Sequence, residues 1–153
     1  MSLGLIAIGR MRPGPEAELF ERYLTRIKPA LAVTELPESR GTPAEIKRRE
    51  GNAMLAALPG PAYAVALTPD APMLSSEAFA KELQHWLDMG RKVHFLIGGA
   101  EGLGDAVLES AHYSLSFGKM IWPHMLARVM LAEQVYRAQM ILTGHPYHRA
   151  GRP

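Results

Sequence analysis

Apolar runs and amphipathic stretches alternate along the whole chain. Residues 3–9 form a short apolar run closed by glycine, which reads as a buried strand. Pro13 and Pro15 then open a stretch with Leu19, Phe20, Tyr23, Leu24 and Ile27 at helical spacing, and Pro29 stops it. Residues 31–36 give a second strand. Thr42, Pro43 and Glu45 make a Thr-x-x-Glu start with proline at the first helical position, launching a helix to about Leu58 before Pro59-Gly60-Pro61 ends it. A third strand at 62–68 leads through a Pro-Asp-Ala-Pro loop to a helix from Ser75 or Ser76 to Met89, with Gly90 as its C-terminal cap. Residues 92–97 form a fourth strand. The glycine-rich turn Gly98 to Gly104 precedes a short helix over 105–111, a fifth strand over 113–117 and a long helix over 124–142.

Alternation of this kind predicts an α/β fold in which a mainly parallel sheet carries helices on both faces, as one domain over 1–153. The last helix breaks the amphipathic pattern. Arg128, Glu133, Gln134, Arg137 and Gln139 are its only strongly polar members, and one sheet face cannot cover the rest. Leu126, Met130 and Ile141 are expected to face the sheet. Leu131, Val135, Ala138 and Leu142 are expected to meet a second copy of the chain, making a homodimer.

Composition narrows the chemistry. The 153 residues include no Cys, which removes disulfides, thiolate metal sites and sulfur nucleophiles, and fits a reducing compartment such as the cytoplasm. Charges interrupt every apolar segment before the ~20 residues a bilayer requires. Residues 1–9 lack a basic leader and a small-residue cleavage site, so they read as a strand and not as a signal peptide. The net charge is only +2, but residues 119–153 hold five of the 17 Lys/Arg and one of the 15 acids. Twelve of the 17 are arginine, whose planar fork suits phosphates and stacks on bases, so an anionic partner at this end competes with a plain solvated tail.

Gly98 to Gly104 follows a strand and precedes a helix, the position where parallel sheets bind ligands. Its spacing excludes the dinucleotide fingerprint and the Lys-Ser/Thr phosphate loop, which leaves a ligand-contacting loop or a tight turn. Ser116 to Lys119 matches Ser-x-x-Lys, but the motif of that nucleophile begins a helix, whereas here it follows a strand. A second ligand loop over Phe117 to Trp122 is the better reading. His145, Tyr147, His148 and Arg149 follow the last helix; proline between the two histidines opposes a metal site, so no metal is expected. Their stacking and phosphate contacts suit a splayed nucleotide, against a disordered tail. Glu133 and Arg137 are spaced for an ion pair, either structural or close to a site.

Four stretches together resemble one family: Leu96-Ile97-Gly98-Gly99-x-Glu101-Gly102; Leu115 to Met120 with Pro123-His124; Glu133-Gln134-x-Tyr136-Arg137-Ala138; and Pro146-Tyr147-His148. In order and spacing they resemble the SPOUT-superfamily methyltransferases that modify a pseudouridine of 23S ribosomal RNA, in helix 69, at N3. The resemblance covers essentially the whole chain. It implies a C-terminal trefoil knot, one of the rare exceptions to unknotted topology. It also implies S-adenosyl-L-methionine as cofactor, held by Leu67, Gly98, Phe117, Gly118, Lys119, Met120, Ile121 and Trp122. Homodimers with the target nucleotide between one subunit's cofactor and its partner's residues follow from it too, with the assembled ribosome as the expected substrate. His148 is then the candidate general base, Tyr147 and Arg149 position RNA with His145 beside them, and Arg137 organises the site. Ala150 to Pro153, including Arg152, extend past the usual family ending. A non-catalytic RNA-binding module and a small-molecule nucleotide enzyme are the rival classes.

Overall fold

The computed structural model describes residues 2–151. Five parallel strands, β1 (Leu3–Ile8), β2 (Leu31–Leu36), β3 (Tyr63–Leu67), β4 (Val93–Ile97) and β5 (Tyr113–Leu115), form one sheet in the order β2-β1-β4-β3-β5. Four helices connect them, α1 (Pro15–Leu24), α2 (Pro43–Ala57), α3 (Ser76–Asp88) and α4 (Asp105–Ser110), and a fifth, α5 (His124–Leu142), follows β5. Odd-numbered positions of β1, with Val65, Val93, Phe95 and Ile97, pack against α1, α3 and α5; Ile6, Ile8, Ala64 and Leu96 pack against α2 and α4. β1, β3 and β4 are buried on both faces, which is why they read in the sequence as continuous apolar runs.

Local chemistry sets the helix starts. The Thr42 hydroxyl caps α2 by accepting the Glu45 N–H at 3.2 Å and donates to the Glu45 carboxylate at 3.1 Å, with Pro43 in the first turn. Ser75, not Ser76, caps α3 by accepting the Ala78 N–H at 3.1 Å. Ser76 instead donates to Gln134 at 2.8 Å, tying the start of α3 to α5. α1 ends at Leu24, short of the Pro29 stop, although Ile27 still packs into the core.

The faces of α5 are largely the reverse of the sequence expectation, although Ile141 packs against the core as expected. Leu131, Val135 and Ala138 are completely buried, whereas Leu126, Met130 and Ile141 are half-buried; Leu142 is exposed as expected. The reason is Arg128. Its guanidinium donates to the main-chain oxygens of Ile8 and Gly9 at 2.6 and 2.7 Å, so the helical row that it shares with Leu131, Val135 and Ala138 must face the sheet. An all-round apolar helix gives no amphipathic stripe from which to choose.

β5 is also shorter than its apolar run. Ser116 Oγ accepts the Gly118 N–H at 2.9 Å and offers its proton to the oxygens of Pro69 and Gly118 at 3.1 and 3.0 Å, turning the chain after Leu115. Ser116 is buried and engaged, so it presents no free nucleophile.

Candidate active site at the strand ends

The order β4-β3-β5 brings three connections side by side at the carboxyl edge of the sheet. Leu67 pairs with Leu115, and Ala66 with Leu96, so the chain leaves β3, β4 and β5 at nearly one level. Leu67, Gly98 and the start of the Phe117 to Trp122 segment, which are far apart in sequence, therefore leave the sheet at one edge. The Thr68 N–H donates to Leu115 O and the Ser116 N–H to Pro72 O, both at 3.0 Å, locking the first and third connections together.

The glycine turn requires its glycines by contact. A Cβ on Gly98 would stand 2.6 Å from the carbonyl carbon of Gly102, where no side-chain carbon fits. One on Gly99 would stand 3.0 Å from Ile8 Cγ2 and 3.3 Å from Glu50 Oε1. Across the edge, Met120, Ile121 and Trp122 are 77%, 80% and 42% exposed, and Met73 is 64% exposed. Consecutive large apolar side chains in the open mark a surface that something else covers. Lys119 is exposed beside them. Phe117 also lines a cleft of about 540 Å³ on the α1, α3 and α5 face, with Met73, Leu74, Phe79, Met130 and Glu133 around it. Leu67 and Gly98 lie outside that cleft, so it adjoins the strand-end edge without containing it.

The end of the chain folds back over α5 and the start of α3. Arg137 pairs with Glu133 at 2.7 Å, both side chains 17% exposed, and its guanidinium lies 4.8 Å from the centre of the Tyr147 ring. Burial works against the Arg137 charge, but the hydrogen bond and charge of Glu133 outweigh it and raise its pKa. The Tyr147 hydroxyl donates to Glu133 at 3.2 Å. Burial first, then hydrogen bonding with Tyr23 and the Glu133 charge, push that phenol far above its ordinary range, so it stays protonated. His148 sits between two partners: Arg137 donates to Nδ1 at 3.1 Å, and Nε2 lies 2.8 Å from Glu77 Oε1. Arginine can only donate, so the His148 proton is on Nε2 and points at Glu77.

The structure thus joins Arg137, Tyr147 and His148 in one network and adds Glu77, which the sequence reading missed because an exposed acid in the first turn of a helix looks like ordinary dipole complementation. His145 and Arg149 are exposed outside it; His145 Nδ1 accepts the Tyr147 N–H at 3.1 Å. Arg152 lies outside the described residues. Among the described residues no group of three or more His, Asp or Glu is placed to hold a metal ion.

The chain matches the family described as "Predicted SPOUT methyltransferase" over residues 1–148. It belongs to that family. Relatives named "Ribosomal RNA large subunit methyltransferase H" include one from Gluconacetobacter diazotrophicus, 57% identical over 97% of this chain and 98% of that relative. Another, from Acidiphilium cryptum, is 51% identical over 99% and 96%. Among solved structures, a probable methylase family protein from Haemophilus influenzae aligns with a TM-score of 0.60 at 11% identity, over 99% of this chain and 72% of that one. A probable methyltransferase from Bordetella pertussis aligns at 0.57 and 17%, over 89% and 95%. These two show the fold alone. SPOUT methyltransferases use S-adenosylmethionine, and the strand-end edge of this SPOUT methyltransferase offers features that suit such a ligand: close-packed glycines after β4 and, following β5, a run of uncovered apolar residues.

Proposed function

We propose that this SPOUT methyltransferase methylates N3 of a pseudouridine in helix 69 of 23S ribosomal RNA, on the assembled ribosome in the cytoplasm. The relatives' printed names support ribosomal RNA as the substrate. The observation that carries the reading is the side-by-side placement of Leu67, Gly98 and Phe117 to Trp122, next to a folded His148, Arg137 and Tyr147 network. No helix is long and apolar enough to cross a membrane among the described residues. We treat residues 1–153 as one domain.

S-adenosylmethionine, when bound, supplies an electrophilic methyl group on a sulfonium. Leu67, Gly98 and Phe117 to Trp122 would hold it, through main-chain groups of the turn and apolar contact from Met120 to Trp122. Transfer to a ring nitrogen is an in-line displacement, so fixing the nitrogen near attack distance is the larger part of the chain's work. The N3 proton must also leave. His148 is the base in this scheme: Glu77 fixes the tautomer with Nδ1 unprotonated, and Nδ1 exchanges Arg137 for the substrate when RNA arrives. Arg137 is then free to meet a phosphate. Tyr147, held protonated, positions the base and takes no proton, while His145 and Arg149 extend the contact to the RNA backbone.

A second copy of the chain completes the site. Leu126 and Met130 on the outward side of α5 and the uncovered Met120 to Trp122 form apolar surface that a partner would bury, bringing its tail to this subunit's strand ends. The joint at Ser116, held to the 68–73 connection by Pro69 O and Pro72 O, is where we place the family's trefoil knot. A modest net charge of +2 gives little general attraction to polyanions, which favours a preformed ribosomal surface over free RNA. The test is labelled methyl transfer to ribosomes lacking the modification, beside stripped RNA, with mass spectrometry locating the methyl group. Incorporation at one pseudouridine N3 on ribosomes is expected; cofactor binding without RNA methylation points to a small-molecule enzyme, and RNA binding without cofactor to a binding module.

A further inference from the structure

Glu50, in the middle of α2, is 4% exposed, and its two carboxylate oxygens are treated differently. Oε2 accepts the Ser39 N–H at 2.9 Å, from the connection between β2 and α2. Oε1 is buried and has no hydrogen-bond partner among the described residues. A carboxylate has acceptor capacity for about four hydrogen bonds, and a buried oxygen left without one is costly, so native structures rarely keep such an atom without a use. What Oε1 faces is the glycine turn. A Cβ on Gly99 would stand 3.3 Å from it and wedge between it and Ile8, so glycine at 99 keeps this oxygen open to the main chain of the turn.

We infer that Glu50 is a positioning residue for the methyl donor: its Oε1 receives a main-chain N–H of Gly99 or Ala100 when the turn closes on the bound cofactor. This rests on the reading that Gly98 lies in the cofactor cradle. Because the other oxygen holds Ser39, the carboxylate couples the cofactor turn to the 37–42 connection, which the cofactor residues proposed above do not include. Binding at the turn therefore tightens a loop on the far side of β1.

The experiment is calorimetric titration of the whole wild-type protein and of Glu50→Gln with S-adenosylhomocysteine, with amide hydrogen exchange on the wild type. The substituted amide offers one acceptor oxygen where the carboxylate offers two, so Kd is expected to rise about tenfold, the loss of one charge-assisted bond. KM for S-adenosylmethionine should follow it while kcat stays within about twofold. In the wild type, the Ser39 amide is expected to gain protection on binding, a readout that needs no folded variant. If the wild type binds the ligand and Glu50→Gln binds it equally well, or if Ser39 exchange is unmoved, the positioning role is wrong and the cofactor site stands. If the wild type does not bind the ligand at all, the cofactor reading fails and this inference fails with it.

Discussion

Arg128, wholly buried on α5, places Nη1 2.7 Å from Oε2 of Glu35 at the end of β2, across the edge strands of the sheet. The same Glu35 oxygen accepts the Met11 N–H at 2.8 Å, while Nη2 of Arg128 takes the oxygens of Ile8 and Gly9. One guanidinium thereby fastens the helix that follows the proposed cofactor segment to the ends of β1 and β2. Burial lowers the pKa of Arg128, opposed by the hydrogen bond and charge of Glu35, but arginine remains charged in proteins. Arg128→Met should cost about 3 kcal/mol in urea denaturation, because buried carbonyls lose their donor. Arg128→Lys keeps the charge but not the fork, and about half that loss is expected.

The two faces of α5 make opposite predictions. Met130 is half-buried on the outward row beside the cleft, and Leu131 is buried against the sheet. Met130→Glu should leave the circular dichroism intact and shift sedimentation at micromolar concentration from dimer to monomer. Leu131→Glu puts an unpaired carboxylate in the core, a penalty of several kcal/mol, and should abolish folding. A folded, dimeric Leu131→Glu protein would mean that the helix is turned the other way.

All five strands and five helices were legible in the sequence because each apolar run is closed by its own punctuation: Pro13 and Pro15 before α1, Thr42 with Pro43 before α2, Gly90 after α3. The glycine turn was legible as a place, since it follows β4. The orientation of α5 was not, because a long-range bond from Arg128 to Ile8 decides it and no local periodicity carries that information. Glu50 and Glu77 were invisible for the same reason. Their roles come from partners 11 and 71 residues away, Ser39 and His148. The residues proposed to touch the cofactor and RNA came from family likeness, and only their neighbourhood from the fold.

Gly4 and His94 face each other on adjacent strands, and a Cβ on Gly4 would stand 2.5 Å from the imidazole. Gly4→Ala should destabilise the protein by about 1–3 kcal/mol through overpacking. The double variant with His94→Ala should recover much of that loss, giving a coupling that a double-mutant cycle reads directly. Burial holds the His94 pKa below its ordinary 6.5. The unfolded chain therefore binds this proton more readily, so the His94 contribution is intact above pH 6.5 and declines as pH falls from there toward the depressed folded value. His94→Ala should flatten that part of the stability profile.

The tail network gives the last prediction. His148→Ala removes the proposed base and the bridge between Arg137 and Glu77, and single-turnover methyl transfer should fall about a hundredfold. Retention within a factor of two would remove His148 from the chemistry. Tyr147→Phe keeps the ring under Arg137 but drops the bond to Glu133; since this phenol does not ionise in the working range, the shape of the pH–rate profile should not change even if the rate does. The hydrogen bond from His148 lowers the Glu77 pKa below its ordinary 4.5, helped by a main-chain bond. A depressed carboxyl contributes above its unfolded pKa and loses that contribution as pH falls through its folded one, so the tie between tail and α3 should hold at neutrality and release below about pH 4.5. Nuclear magnetic resonance of the Tyr147 and His148 amides across an acid titration would show the release, and in Glu77→Gln the transition should be missing because no charge remains to titrate.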